Sequence, residues 1–369
     1  GDAASGKGTG APRPYLKRRH RLHKFHRIHV EDIYKPEYMA YRTNHFPYVL
    51  TGVTEQPSWA NSSFSRWSRR SLAERFPSTM VDFYPHNMEY SGVTPKHLAM
   101  RAAAEEMANP TGKYTTSSAN KKYLKSGHEG AMYIQWNMNR QEWDELASDM
   151  GPLPEMFVTD NAFLDGCLPS QALVDEFHLV THWRMVLLGN TNAGMYNHYD
   201  FLGGSSFQFQ AKGRKRWHIC TSSEAKYMSV SLDTFDPDYT RFPRLLKAEC
   251  FDDVVEEGEF IFYPRDTWHQ TNNVEEDTIS YSSILIDQNN AAKLSEQFKM
   301  DCNGERGVLE MSKQLCHHLQ SCYEWWNNGF LGSFTRQQTH EPASHLPSRL
   351  RARGVGTRSS NGECSRGAA

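Results

Sequence analysis

The chain has 369 residues, 38% of them hydrophobic and 12% aromatic, with a formal net charge of −2 at pH 7. That is enough apolar material for one large domain or two around a buried core, and so small a net charge singles out no charged partner. No run of about 18 apolar residues occurs, so no membrane span is expected, while a leader or anchor upstream of Gly1 stays open. The seven cysteines, at 167, 220, 250, 302, 316, 322 and 364, form no regular framework. Their odd number favours a reducing compartment, cytoplasm or nucleus.

In chain order, residues 1–11 (GDAASGKGTGA) are small and polar, and 333–369 is rich in Ser, Arg and Gly; both are expected to be disordered. The run 17-KRRHRLHKFHRIH-29 spaces His20, His23, His26 and His29 three residues apart. It reads as a solvated basic arm, so 1–29 is taken as one disordered segment; a metal strip or an anionic partner such as nucleic acid are the alternatives. PYVLTGV (47–53) has the pattern of a short buried strand ending at a Gly turn. In 94-TPKHLAMRAAAEEMANP-110, Thr94 as N-cap and Pro95 at the first helical position predict a helix. AMYIQWNM (131–138) predicts a strand and QEWDELASDM (141–150) a short helix.

From residue 183 the rhythm changes to short strands separated by turns: WRMVLLGN (183–190), SSFQFQAKG (205–213), KRWHICTS (215–222), GEFIFYP (258–264) and ISYSSILI (279–286). Such a series predicts a sandwich or barrel. Val308, Met311, Leu315, Leu319, Cys322 and Trp326 then recur at helical spacing, a stripe that could pack on the barrel or form a homodimer interface. The segment 316-CHHLQSC-322 carries ligand types but lies on that stripe and reads as core. The organisation expected is an arm (1–29), a main domain (30–290), a C-terminal helical segment (291–332) and a tail (333–369).

The stretch 196-YNHYDFLGG-204 sets a histidine and an aspartate two positions apart after an apolar run. On a strand, residues i and i+2 share a face, so His198 and Asp200 would project together. One more histidine completes a 2-His-1-carboxylate facial set, which leaves positions open and suits non-haem Fe(II). The candidate is His269 in 258-GEFIFYPRDTWHQTNN-273. In a chain with 17 histidines an isolated His-x-Asp carries little weight; its conjunction with a lysine-bearing strand and a G-x5-P-x3-W-H segment carries more.

The order HYD, QAKGRKRW, GEFIFYPRDTWHQTNN resembles the JmjC and cupin-like 2-oxoglutarate oxygenases, most closely the type of the asparaginyl hydroxylase that modifies hypoxia-inducible factor. The resemblance spans roughly residues 30 to 290 and is specific from 183 to 286. It implies a mainly β fold with flanking helices: a double-stranded β-helix (jelly-roll) core with C-terminal helices. It implies His198, Asp200 and His269 as iron ligands and Lys215 as the cation that pairs with the distal carboxylate of 2-oxoglutarate. Lys212 is the competitor for that role, and a solvated Lys215 within 212-KGRKR-216 the plainer reading. Tyr133, beside Gln135 in YIQW, matches an early strand that lends a tyrosine hydroxyl to the cosubstrate, although an aromatic in a strand can equally be core. Asn273 stands where the family often places an asparagine. Departures are Met195, where Thr or Ser is usual, Ser206, where Asn is common, and the two extra glycines 203 and 204.

What the resemblance implies for function is an Fe(II)- and 2-oxoglutarate-dependent dioxygenase that hydroxylates a protein side chain and converts the cosubstrate to succinate. A JmjC-type N-methyl-lysine demethylase, a cupin binding Zn or Mn, and a catalytically inactive interaction module are the alternatives. No zinc finger or chromatin-reader motif is present in the sequence, which favours the hydroxylase over the chromatin demethylase.

Overall fold

In a computed structural model, the residues described are 19–42, 46–85, 94–114, 131–158, 167–286 and 290–325. Thirteen strands are found among them. They are β1 (Arg21–His23), β2 (His26–His29), β3 (Tyr48–Thr51), β4 (Met80–Tyr84), β5 (Lys96–Ala99), β6 (Tyr133–Asn137), β7 (Arg184–Gly189), β8 (Ser205–Lys212), β9 (Lys215–Cys220), β10 (Glu249–Val255), β11 (Phe260–Tyr263), β12 (Trp268–Asn273) and β13 (Thr278–Leu285). They form a nine-stranded sheet in the order β2-β3-β11-β8-β13-β7-β6-β4-β5 and a four-stranded sheet in the order β1-β10-β9-β12. From β8 onward the chain passes repeatedly from one sheet to the other. This is the jelly-roll winding, mainly β, that the sequence led us to expect.

The large sheet has two unlike faces, and alternation in β8 sets them. Phe207, Phe209 and Ala211 point to a core shared with Phe260, Tyr281, Trp143, Trp59 and Phe157. Ser206, Gln208 and Gln210, also buried, point the other way. β13 repeats the pattern, with Ile279 and Tyr281 on the apolar side and Ser280 and Ser282 on the polar one. The polar face looks across the roll to β9, where Lys215 reaches Gln208. A second apolar cluster joins the two sheets, with Val49 and Ile261 from the large one and Trp217, Ile219 and Val255 from the small one. The space between the sheets is therefore part apolar and part polar.

The longer helices are α1 (Arg69–Arg75), α2 (Met100–Ala108), α3 (Arg140–Ala147), α4 (Gln171–Thr181), α5 (Ala291–Cys302) and α6 (Lys313–Trp325), of which the first three bury side chains in the apolar core. The α3 helix is the one expected over 141–150, and a reciprocal capping box between Asn139 and Glu142 fixes its start. The helix expected from Thr94 begins later, at Met100. Residues 96–99 instead pair antiparallel with β4, Met80 opposite Ala99. A tertiary partner for the backbone outweighs the local capping signal, and the helix forms where that pairing ends.

Two other expectations are corrected. The basic run is not a solvated arm throughout: its first two residues lie outside the described residues, and from Arg21 it forms β1 and β2, each paired in parallel, to β10 and β3. Its cations meet acidic residues at 2.7–2.9 Å: Arg21 with Glu249, Lys24 and Arg27 with Asp253, Arg27 with Glu259. Its charge thus has partners within the chain. Six cysteines, expected to form no framework, are paired as Cys167–Cys322, Cys220–Cys250 and Cys302–Cys316, which removes the ground for inferring a reducing compartment; Cys364 lies outside the described residues. Of the two uses expected for the C-terminal stripe, packing within the chain is seen: Leu315, Leu319 and Cys322 are buried on α6. Val308 and Met311 precede that helix, and Trp326 and the tail 333–369 lie outside the described residues, as do residues 1–11.

One consequence concerns acid stability. His178 on α4 is buried, and burial pushes its pKa from 6.5 down to about 3. The unfolded chain then binds a proton that the folded chain refuses, so stability falls as pH drops from about 6.5 toward 3. A urea-unfolding series across that range should show a midpoint declining with acidification, and His178→Leu should flatten the decline.

Candidate metal centre

The segment after β7 is not the continuous strand expected up to His198. It runs irregularly beside β12, with hydrogen bonds between Asn273 and Ala193, Thr271 and Met195, and a reciprocal pair between His198 and His269. Gly194 permits the close approach, because a Cβ there would collide with the Thr271 carbonyl. The two histidines therefore meet through direct backbone pairing, and their rings lie 4.2 Å apart.

Nε2 of His198 lies 3.7 Å, and Nε2 of His269 3.8 Å, from the same oxygen of Asp200. The three side chains form a cluster whose ligand atoms all lie within 4.8 Å of one another. Each ring is oriented from behind. Nδ1 of His198 donates to the Tyr196 carbonyl at 2.7 Å and Nδ1 of His269 to the Thr267 carbonyl at 3.0 Å. A carbonyl only accepts, so the proton sits on Nδ1 and the Nε2 lone pair faces Asp200. Burial and the neighbouring His269 push the pKa of His198 down to about 4, which keeps the ring neutral and able to ligate. The second oxygen of Asp200 accepts from the Ser206 hydroxyl at 3.1 Å. Side-chain exposure rises from 4% at His269 through 13% at His198 to 27% at Asp200, so the cluster opens on the Asp200 side.

Deeper in the roll, Lys215 is 1% exposed and its ammonium has one long contact, 3.5 Å to the Gln208 amide oxygen. Burial pushes its pKa from 10.5 down to about 7. Lys212, the competing lysine, is one-third exposed and bonds Asp277 at 3.1 Å, which removes it from this role. Asn273 sits directly opposite Lys215 in the β9–β12 register, and the Tyr133 ring lies 6.0 Å from its ammonium. The Tyr133 hydroxyl and both polar atoms of the Asn273 amide are buried without a hydrogen-bond partner in the structure. Buried polar groups in a folded protein are normally satisfied, and here three orphans and an uncompensated ammonium share one place. Those groups fit a small, oxygen-rich anion.

All six residues singled out in the sequence are thus brought together, on elements from both sheets. Three further contributors were not singled out in the sequence. Trp217 stacks on His269 at 5.9 Å, and the Tyr263 ring lies 4.8 Å from the same imidazole. Gly189 lies beside the anion pocket, where a Cβ would come within 2.5 Å of the Asn273 amide and 2.8 Å of the Tyr133 ring. Met195 packs with Tyr84, Tyr133 and Leu187.

Comparison with known proteins agrees with this architecture. A family model described as a cupin-like domain matches residues 35–287, most of the chain. The chain belongs to the cupin-like domain family. It is 26% identical over 122 residues to human HSPB1-associated protein 1, covering 30% of this chain and 25% of that one. It is 26% identical over 187 residues to the chicken 2-oxoglutarate and iron-dependent oxygenase JMJD4, 47% of this chain and 40% of that one. It is 28% identical over 134 residues to the Drosophila yakuba bifunctional lysine-specific demethylase and histidyl-hydroxylase NO66, 36% of this chain and 18% of that one. The matched stretches thus cover less than half of each of these relatives.

Three outcomes follow from the geometry. Lys215→Met removes a buried charge that has no counter-ion, so it should raise the melting temperature of the ligand-free protein, by about 3 °C or more. It should also flatten the rise in stability between pH 7 and 10.5, where the unfolded chain holds the lysine proton and the folded chain releases it. Gly189→Ala should cost about 1–3 kcal/mol in denaturant unfolding through overpacking.

Proposed function

We propose that the protein is an Fe(II)- and 2-oxoglutarate-dependent oxygenase that hydroxylates a protein side chain. The observation that carries this reading is the joint placement of a His198–Asp200–His269 cluster and an unpaired, buried Lys215 in one polar interior. Relatives named as 2-oxoglutarate and iron-dependent oxygenases support the class.

His198, Asp200 and His269 would hold the metal by two neutral imidazoles and one carboxylate, a donor set that leaves room for further ligands. Lys215 would bind the distal carboxylate of 2-oxoglutarate by a charge-assisted hydrogen bond in a water-poor pocket. Asn273 and Tyr133 would donate the remaining hydrogen bonds, which is the fate their orphaned atoms call for. Iron(II) with 2-oxoglutarate and O₂ supplies the oxidising chemistry, in which the oxo acid is decarboxylated to succinate and CO₂ and one oxygen atom enters a C–H bond. Trp217 and Tyr263 pack around His269, restrict its motion and exclude water from that side. Ser206 holds Asp200 in its orientation.

Support for a macromolecular substrate comes from the open side. Tyr199 and Phe201 flank Asp200 and are 50% and 38% exposed, and Tyr199 packs on Trp268 at 5.0 Å. An apolar rim beside the cluster suits a side chain presented on a peptide. NO66 is named for both histidyl hydroxylation and lysine demethylation, so the products of the two reactions must be told apart.

The test is turnover in ¹⁸O₂ with iron, 2-oxoglutarate and a cell-derived protein mixture, read by succinate formation and peptide mass. Stoichiometric succinate with one ¹⁸O atom retained on a peptide is the expected result, and activity should fall at least 100-fold in Asp200→Ala. Release of formaldehyde with loss of a methyl group would assign demethylation instead. Iron-loaded, folded protein that forms no succinate would contradict the oxygenase reading.

A further inference from the structure

The four-stranded sheet has an outer face as well as the inner one that carries the triad. On β9, Lys215, Trp217 and Ile219 point inward, so Arg216, His218 and Cys220 point out. On that outer face a second cluster of ligand-bearing side chains gathers: His20, His218 and Cys250, whose ligand atoms lie within 4.8 Å of one another. All three are buried, at 4%, 0% and 0% exposure, and Cys220, equally buried, is joined to Cys250.

The details are those of a ligand set. His20 and His218 turn Nε2 toward each other at 3.0 Å; two nitrogens on one tetrahedral zinc sit about 3.3 Å apart. Nδ1 of His20 is held by the Tyr239 hydroxyl at 2.8 Å, the kind of support that fixes a metal-bound imidazole from behind. Two imidazoles and the Cys250 sulfur in a buried cluster match the nitrogen and sulfur ligands of a zinc site. A cavity of about 520 Å³, lined by His20, Arg19, Asp238, Tyr239 and Asp252 among others, reaches the His20 side of the cluster.

We propose that His20, His218 and Cys250, the last freed from Cys220 by reduction, form a redox-gated site for a divalent metal of the zinc class, separate from the triad. In the oxidised state the two cysteines are joined and the imidazoles share a hydrogen bond. Two thiols of a reductant, or one dithiol, cleave the Cys220–Cys250 bond, yielding two cysteine thiols and one disulfide in the reductant. The metal then replaces the Cys250 thiol proton, which leaves to solvent, and binds one thiolate and two neutral imidazoles, while Cys220 keeps its thiol. Bound metal would fasten the chain ahead of β1 to β9, the strand whose opposite end carries Lys215. It replaces one cross-link by another that also ties in the N-terminal segment.

The test uses Co(II) as the probe, because thiolate ligands give a near-ultraviolet charge-transfer band that the sulfur-free triad cannot produce. Full-length protein is reduced anaerobically with a dithiol, checked by thiol titration, and titrated with Co(II). The expected result is a thiolate band saturating at one equivalent beyond any metal held by the triad, absent from oxidised protein and from Cys250→Ser. Tyr239→Phe, which keeps every ligand, should weaken binding about tenfold, and His20→Ala should weaken it further while circular dichroism stays unchanged. Reduced protein that shows no thiolate band at excess Co(II) would overturn the proposal, as would a band unaltered in affinity by His20→Ala. Unfolding of the reduced chain despite added zinc would overturn it too, since the metal-bound state must be folded.

Discussion

The interior of this jelly roll is organised around a cation that nothing in the chain neutralises. Lys215 sits almost fully buried on β9, faces an amide rather than a carboxylate, and is flanked by an amide and a phenol with no partners of their own. Burying a charge in this way is costly, and a fold tolerates it only where the surroundings are rigid and a ligand compensates. The polar inner faces of β8 and β13 make that burial possible, lining the space with Ser206, Gln208, Gln210, Ser280 and Ser282.

The same strand register that places Lys215 opposite Asn273 places Ile219 opposite His269, so β12 delivers both ends of the site from one continuous pairing. The first histidine and the aspartate come from the opposite side, on a segment zipped to β12 by irregular backbone bonds. The distance between metal cluster and anion pocket is therefore set by strand geometry rather than by loops. Function here depends on precision, and strands supply it. β9 is used twice, its inner face for Lys215 and its outer face for the histidine and cysteine cluster.

Much of the site was legible in the sequence because it rests on period-two alternation and a rare conjunction of motifs. His198, Asp200 and His269 were found in that way, Lys215, Tyr133 and Asn273 through the family resemblance, and the six lie on neighbouring strands and the segment paired to them. Several elements were not legible, for identifiable reasons. β10 carries Asp252 and Asp253, poor strand formers, which are stabilised by ion pairs from Arg216, Lys24 and Arg27 that no local pattern reveals. The strand at residues 21–23 pairs with that same acidic strand more than 220 positions away, and the one at 26–29 with β3. Cysteine pairing is likewise non-local, since Cys167 meets Cys322 across 155 residues. Gly189 could not be singled out from sequence because its role appears only once Asn273 and Tyr133 converge on it. The shifted start of the α2 helix shows capping residues losing to a strand partner.

The central claim is that the triad and Lys215 act on one bound metal–oxo acid pair, and binding tests it more directly than turnover. Under anaerobic conditions, Fe(II)-loaded protein is titrated with 2-oxoglutarate while the visible charge-transfer band of the chelated cosubstrate is followed. The account predicts a saturable band that is lost in His198→Ala, and that in Lys215→Met keeps its position but needs at least tenfold more 2-oxoglutarate to half-saturate. Folded, iron-loaded protein with no band, or a Lys215→Met variant titrating like the parent, would contradict it.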